Sequence, residues 1–456
     1  MCKGAQLFNN NANVRLGQMP LIKLKGAHVP HRKNTAQMAA VRMPAPKSVT
    51  IPVVMHIGAP AVPAVKVGDH VDIGDVIATA GGFVSAPVHA SVSGTVKKID
   101  TILVSSGNNV NAITIESDGE MKVSEAVKPP KLETYEDFIN AVKDSGLVGL
   151  GGAGFPTAVK LKIDDLSRIK AVVINGAECE PYITSDTRTM LDQADLMKEG
   201  FALLEKFLKV KNIIIGIEKN KPECIAKMNE LAAADPCLTV KPLPSVYPQG
   251  GEKVLIYHTT GAVVPEGKLP LDAGAVVLNC TTLACLARYC KTGMPLVEKC
   301  VTVDGSAIKE PKNVIVPIGT SIQDLIDFAG GFKEEPGKIL YGGPMMGIAV
   351  PDANCPILKN TNAIIALNEK DAQPKKQTAC IRCGNCVSHC PLHLNPVAIS
   401  KAYRDGDCEE LKKLKVNLCM ECGCCSFVCP TGQPLVQRNK LSKAMLRNYK
   451  PQEGKK

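Results

Sequence analysis

Eight cysteines near the C-terminal end repeat one spacing, Cys380-x2-Cys383-x2-Cys386-x3-Cys390-Pro391 and Cys419-x2-Cys422-x2-Cys425-x3-Cys429-Pro430. That spacing is the ligand pattern of paired [4Fe–4S] clusters. Three thiolates one turn apart grip three corners of a cubane, and the fourth cysteine, redirected by its proline, serves the cluster of the other run. The pattern therefore groups Cys380, Cys383, Cys386 and Cys429 around one cluster, and Cys419, Cys422, Cys425 and Cys390 around the other. Structural zinc is the alternative, but each zinc ion needs a closed tetrahedron of four ligands, which the doubled triplet with its trailing Cys-Pro does not resemble. Cys424 falls outside the repeat and is read as a non-ligand. Such a segment folds as short helices around metal and carries electrons.

A chain of 456 residues exceeds a single core and implies three or four domains. Aromatic residues at 4% and the lack of tryptophan argue against a nucleic-acid stacking surface, so no nucleic-acid partner is expected. The net charge of +10 is partly local: seven Lys or Arg lie between Arg438 and Lys456, against Glu453 alone. This basic tail suits an anionic membrane or an acidic partner, and equally a solvated, frayed end. Met1 to Pro20 shows no continuous apolar stretch of a secretory signal, and nineteen cysteines fit a reducing compartment, so the chain is expected in the cytoplasm. The uncharged stretch Val76 to Val96 is broken by Gly81, Gly82, Pro87 and Gly94; no membrane span is expected, and any membrane association is peripheral.

From Ile51 to about Ser117, short β-rich runs alternate with turn signals, a small all-β unit similar to the flattened sandwich of lipoyl and biotinyl carriers. No lysine stands at its hairpin tip, His89 to Ser91, so it reads as scaffold. The texture then becomes α/β, with strands expected at Ala171–Ile174, Asn212–Ile217 and Ala275–Leu278 and helices at Thr187–Leu208 and Pro222–Ala234. Ligands of such a layered sheet sit at the strand C-termini. Val301–Gly305, Asn313–Gly319 and Ser321–Phe328 predict strand, strand and helix of a compact α+β module. Asn395–Tyr403 and Glu409–Leu414 are the helix candidates of the cluster region.

Gly149-Leu-Gly151-Gly-Ala-Gly154 matches the dinucleotide-binding glycine pattern in letters. Its context differs: a helical pattern, Tyr135–Ser145, precedes it, and Phe155-Pro156 follows at once. Dense glycines still expose backbone N–H groups to a phosphate or lie flat under a planar ring. Lys160 can neutralise a phosphate, and Phe155 can stack on a base.

Six segments together carry a family resemblance: Gly149 to Lys160, Ile174-Asn-Gly-Ala-Glu-Cys-Glu-Pro-Tyr-Ile-Thr184, Tyr247-Pro-Gln-Gly-Gly-Glu-Lys253, Tyr341-Gly-Gly-Pro-Met-Met-Gly347 and the two cysteine runs. From Ile51 onward the chain resembles the C subunit of the Rnf ion-translocating electron-transport complex, and through it the flavin- and NADH-binding subunit of respiratory complex I. The resemblance implies a multidomain α/β and α+β fold. Its parts are an N-terminal extension (1–50), a lipoyl-like β-sandwich (51–125), an FMN- and NADH-binding α/β domain (126–295), an SLBB-like β-grasp domain (296–370), a two-[4Fe–4S] ferredoxin-like domain (371–440) and a basic tail (441–456). It implies that Gly151, Gly152, Gly154, Lys160, Asn175, Asn279 and Thr282 hold FMN. Phe155, Glu178 and Glu180 would face NADH, with Tyr247, Gly250, Gly251 and Glu252 closing the pocket. The chain departs from the complex I subunit at Leu150, Leu161 and Lys253, where that subunit has arginine, tryptophan and glutamate.

The chemistry agrees with this expectation. NADH releases two electrons as a hydride and an iron–sulfur cluster accepts one, so a flavin is the needed converter. Glu178 and Glu180 suit ribose hydroxyls or the placing of nicotinamide, or else an acidic cap on a helix N-terminus; Cys179 is a redox thiol or a small packing residue. The other cysteines and the histidines show no ligand spacing. The expected function is a peripheral, cytoplasmic-face subunit of a membrane complex that passes electrons between ferredoxin and NAD(H), exchanging them with a partner iron–sulfur subunit, while Na⁺ or H⁺ moves through other, membrane subunits. The rivals are a non-catalytic iron–sulfur relay without its own flavin, and a soluble flavin oxidoreductase with no membrane partner.

Overall fold

A computed structural model describes residues 25–105 and 107–449. The leader reading of Met1–Pro20 and the last seven residues of the basic tail lie outside the described residues. The β unit consists of a four-stranded sheet (Ser48–Pro52, Asn109–Ser117, Gly94–Leu103, His70–Val71) facing a three-stranded one (Val62–Pro63, Val76–Thr79, Val88–His89). Alternate residues such as Val49, Ile51, Ile113 and Ile115 point inward, the period-two pattern that a half-buried strand requires.

The central domain is a four-stranded parallel sheet in the order Leu238–Leu243, Ile213–Glu218, Ala171–Gly176, Ala275–Asn279. Ile213–Glu218 is buried at every residue, as a strand covered on both faces must be. The edge strand Leu238–Leu243 alternates weakly and contains Lys241 and Pro242, which an edge tolerates. Helices Ser185–Asp192 and Ala194–Leu208 divide the stretch expected as one helix. The chain leaves Ala171–Gly176 toward Ile213–Glu218 on one side and returns as Ala275–Asn279 on the other. The order of strand addition therefore reverses there, and Asn175 and Asn279, register partners, flank the crevice where α/β ligands bind. A helix, Tyr135–Asp144, precedes the glycine loop, as its sequence pattern requires; Thr134 and Asp137 close a capping box at its start.

A six-stranded mixed sheet follows, with helix Ile322–Phe328 packed on it. Its outer strand, Val41–Arg42, comes from the N-terminal segment and pairs in parallel with Lys312–Pro317. The expected extension is thus built into the body. The cluster region contains the two expected helices, Pro396–Arg404 and Cys408–Lys413, and a longer one, Leu435–Asn448, in which the expected basic tail begins. No helix among the described residues is long and apolar enough to cross a membrane.

The domains are joined by apolar core and by buried polar groups. One hydrophobic cluster runs from Val49 and Ile77 in the β unit through Leu147 and Leu150 to Ile174 and Ile215 in the parallel sheet. At the same seam Lys359, 1% exposed, donates to Pro87 O at 2.6 Å and Gly146 O at 2.7 Å. Burial pulls its ammonium down to about 7. Since this value lies below that of the unfolded chain, the unfolded chain holds the extra proton between about pH 7 and the ordinary lysine range. Stability therefore rises with pH across that window and is flat below it. Lys359→Met should melt lower throughout, and its melting temperature should climb less steeply than the wild type's between about pH 7 and about pH 9, one proton being worth up to about 1.4 kcal/mol per pH unit. Parallel curves would remove Lys359 from the pH response.

Candidate functional site

The site lies at the C-terminal edge of the parallel sheet. The glycine loop turns back on itself through Gly149 N–H to Phe155 O (2.8 Å) and Gly154 N–H to Gly149 O (3.2 Å). Leu150 anchors it, donating from its N–H to Thr282 Oγ1 at 3.0 Å and accepting from buried Lys299 Nζ at 3.1 Å. Among the described residues nothing accepts from the N–H groups of Gly151, Gly152 or Ala153. Gly152 has φ +124°, which an L side chain avoids, and a Cβ there would meet no protein atom within 4 Å. Gly151 lies against Asn279, which caps helix Cys280–Thr292 by accepting from Thr282 N–H and donates to Asp186 Oδ2 at 2.7 Å. Open backbone donors beside a helix N-terminus form an anion-binding and ring-bearing surface. These residues fit FMN.

Across the crevice, Asn175 Nδ2 donates to Gly250 O at 2.9 Å, and Lys160 Nζ reaches Glu252 Oε1 at 3.1 Å and Val277 O at 3.0 Å. The structure thus brings Gly151, Gly152, Gly154, Lys160, Asn175, Gly250, Gly251, Glu252, Asn279 and Thr282 to one edge of the sheet, with Phe155 in the turn that closes the glycine loop.

The acidic pair has other neighbours. Glu178, at a left-handed φ of +45°, accepts from Asp186 N–H at 2.6 Å and from Thr187 Oγ1 at 2.6 Å, which caps helix Ser185–Asp192. Glu180 accepts from the N–H groups of Met345 (3.1 Å) and Met346 (2.8 Å), which belong to the Tyr341–Gly347 motif, and from Tyr247 Oη at 3.4 Å. Burial pushes both carboxyls up, opposed by the Lys33 ammonium at Glu178 and by the two backbone donors at Glu180. Burial likewise pushes the Cys179 thiol up to about 12, leaving it protonated at neutral pH as a packing group.

Four lysines hold the loops from behind, and no sequence pattern marks them for this role. Lys33 Nζ donates to the carbonyls of Glu178, Glu180 and Ile183 at 2.6–2.8 Å, and Lys221 Nζ to Ala177 O at 2.6 Å and Glu218 Oε2 at 3.2 Å. Lys299, on Leu150 O, and Lys359, on Gly146 O and Pro87 O, complete the set. Asn360, donating to Gly152 O at 2.8 Å, adds a fifth side chain to the four lysines.

The cysteines form two groups. Cys380, Cys383, Cys386 and Cys429 line an open basin of about 880 Å³, with Arg382, Lys401, Arg404 and Arg438 around it. Cys390, Cys419, Cys422 and Cys425 line a second, inner chamber. Neither lining includes a carboxylate or an imidazole. An all-thiolate donor set beside cationic side chains fits a negatively charged iron–sulfur cluster. Among the described residues every cysteine is a free thiol.

Tyr247 joins the inner chamber to the crevice. Its Oη donates to Cys422 O at 2.8 Å, its carbonyl accepts from Cys424 Sγ at 3.6 Å, and its own segment continues into Gly250 and Gly251. A Cβ at Gly251 would overlap Met420 Cε, so the cluster loop packs directly on the crevice wall. Tyr247→Phe leaves Cys422 O buried without its donor, at a cost of about 1–3 kcal/mol to local stability. Amide hydrogen exchange across 419–425 should accelerate accordingly. Unchanged protection would mean that the hydroxyl does not hold the joint.

Comparison with known proteins follows the same division. Residues 23–120 match the family described as the RnfC barrel sandwich hybrid domain, residues 142–288 the Nuo51 FMN-binding domain, and residues 300–349 the SLBB domain. The chain is 43% identical over 372 residues to the C subunit of the proton-translocating ferredoxin:NAD(+) oxidoreductase complex of Clostridium ljungdahlii, covering 81% of each chain. It is 43% identical over 382 residues to the C subunit of the Na(+)-translocating complex of Acetobacterium woodii, covering 82% of this chain and 86% of that one. The C subunit of the ion-translocating oxidoreductase complex of Rhodobacter capsulatus is 38% identical across 91% of this chain and 81% of its own length. With the domain matches in the same order as the folded units, the chain belongs to the family of C subunits of ion-translocating ferredoxin:NAD(+) oxidoreductase complexes.

Proposed function

We propose that this chain is the NAD(H)-handling peripheral subunit of a membrane-bound Rnf complex, on its cytoplasmic side, and works through FMN and two [4Fe–4S] clusters. The carrying observation is the Tyr247 joint, which binds a thiol-lined chamber to the wall of a crevice at the sheet's reversal point. FMN would supply the conversion between a two-electron hydride and single electrons. Gly151, Gly152 and Gly154 would lie beneath its ring, while Lys160, Asn175, Asn279 and Thr282 hold its polar groups and phosphate. Phe155, Tyr247, Gly250, Gly251 and Glu252 would border the nicotinamide. Glu178 and Glu180 would act on the nucleotide by fixing the 177–183 turn and the Met345 loop around it, since both carboxylates are engaged within the protein. Cys380, Cys383, Cys386 and Cys429 would hold the outer cluster, and Cys390, Cys419, Cys422 and Cys425 the inner one. Other subunits of the complex would supply the path for Na⁺ or H⁺ and exchange electrons at the exposed outer basin.

That engagement of both carboxylates favours a second reading, an iron–sulfur relay without its own flavin. Anaerobic purification of the full chain separates the two. The first reading expects about eight irons and eight labile sulfides per chain, one bound flavin, and bleaching of the flavin band by NADH. Clusters without flavin uptake favour the relay, and zinc without labile sulfide overturns both. Gly152→Val should abolish flavin retention while leaving the iron content intact. Lys160→Met should weaken flavin binding on the order of tenfold, or about 1.4 kcal/mol; flavin retained at full affinity in both variants would dissociate the loop from the cofactor.

A further inference from the structure

The cysteine runs superpose in sequence at an offset of 39 residues, Cys380 onto Cys419 through Cys390 onto Cys429. The offset continues into the helices that follow, Pro396–Arg404 and Leu435–Asn448, and makes Ser400 and Asn439 equivalent. Both are buried, and each lines the thiol chamber on its own side. The backbone part of the repeat is preserved: the N–H four residues beyond the last cysteine donates to its sulfur in both runs, Leu394 to Cys390 at 3.3 Å and Gln433 to Cys429 at 3.4 Å. The side chains differ. Ser400 Oγ accepts from Arg438 Nη1 at 2.9 Å, whereas Asn439 Nδ2 donates to Cys419 Sγ at 3.4 Å.

Asn439 is 1% exposed, and its Oδ1 has no hydrogen-bond partner among the described residues. An orphaned buried acceptor is destabilising, so the amide does not serve the helix or the core. Its Nδ2 is aimed at the sulfur instead. Lys443, one turn further along the same helix, donates to Cys419 O at 3.1 Å, and Glu421 pairs with its charge at 2.5 Å. The amide dipole at Cys419 has no such counterweight.

We propose that Asn439 is a positioning residue that raises the reduction potential of the inner cluster by aiming an N–H dipole at the Cys419 sulfur; this rests on the reading that the inner thiols hold a [4Fe–4S] cluster. Reduction adds one negative charge, shared with the ligand sulfurs, and a donor at a sulfur stabilises the reduced state more than the oxidised one. Burial strengthens the interaction. The outer cluster, with serine at the equivalent place, lacks this contribution, so the repeat makes two like sites unlike in potential.

The test is a potentiometric titration of the anaerobically purified full chain, followed by electron paramagnetic resonance, for wild type, Asn439→Leu and Asn439→Ser. Leucine keeps the volume and removes the donor together with the orphaned acceptor; serine installs the residue of the first run. One of the two midpoints should become more negative in both variants, on the order of a tenfold change in the equilibrium constant, which is about 59 mV for one electron. The other midpoint should stay in place, and Asn439→Leu should melt no lower than wild type. Midpoints unchanged in both variants overturn the inference, and a lower melting temperature with fixed midpoints would show a structural role instead. A wild-type chain with only one cluster signal fails the reading of the inner chamber itself, and the inference falls with it.

Discussion

Backbone carbonyls in the loops around the crevice are held by ammonium groups that reach them from other parts of the chain, and the shape of the site depends on this. A nucleotide site built from loops leaves carbonyls at the protein interior that neither sheet nor helix can satisfy. Lys33, Lys221, Lys299 and Lys359 together take those of Ala177, Glu178, Glu180, Ile183, Leu150, Pro87 and Gly146. Each lysine has three donors and no acceptor, so one side chain can gather carbonyls that point from different strands of chain. The desolvation of the charge is the cost, visible in the values of about 8 at Lys33 and Lys299.

With Leu150 O held by Lys299 and Gly152 O by Asn360, the N–H groups of Gly151, Gly152 and Ala153 are left without a protein acceptor among the described residues. This polarity explains how a glycine-rich turn without a preceding strand can still present donors. It also explains why the acidic residues of the 174–184 segment turn inward: Glu178 meets a helix N-terminus and Glu180 a pair of amides in the neighbouring domain. The site is therefore shared among the parallel sheet, the β-grasp module and the cluster loop, and Tyr247 stands where the three meet.

The elements legible in the sequence were those with a strong local rule. The cysteine spacing, the apolar strands Ala171–Ile174 and Ala275–Leu278, and the helix ahead of the glycine loop each follow from short-range pattern. The edge strand Leu238–Leu243 escaped because Lys241 and Pro242 spoil its alternation, which only an edge position permits. Helix Leu435–Asn448 escaped because Arg438, Lys440, Lys443 and Arg447 read as a solvated tail, although Ser442 and Asn439 are fully enclosed. For Glu178, whose sequence context suited either a ribose or a helix cap, the distinction lay in where the chain turned at φ +45°. Lysines are surface residues by composition, so no sequence rule marks four of them as internal struts.

The N-terminal segment is stitched into places that are made much later. Ala27 exchanges backbone hydrogen bonds with Tyr247, Lys33 clamps the 178–183 turn, and Val41 lies beside Val314. Partners so distant along the chain impose a large loop-closure entropy and make slow, late-forming contacts. During synthesis Ala27, Lys33 and Val41 must wait for Tyr247, Glu178 and Val314, which follow them by well over a hundred residues. The turn that carries Glu178 and Glu180 is therefore fixed only when contacts spanning 145 to 150 residues close through Lys33.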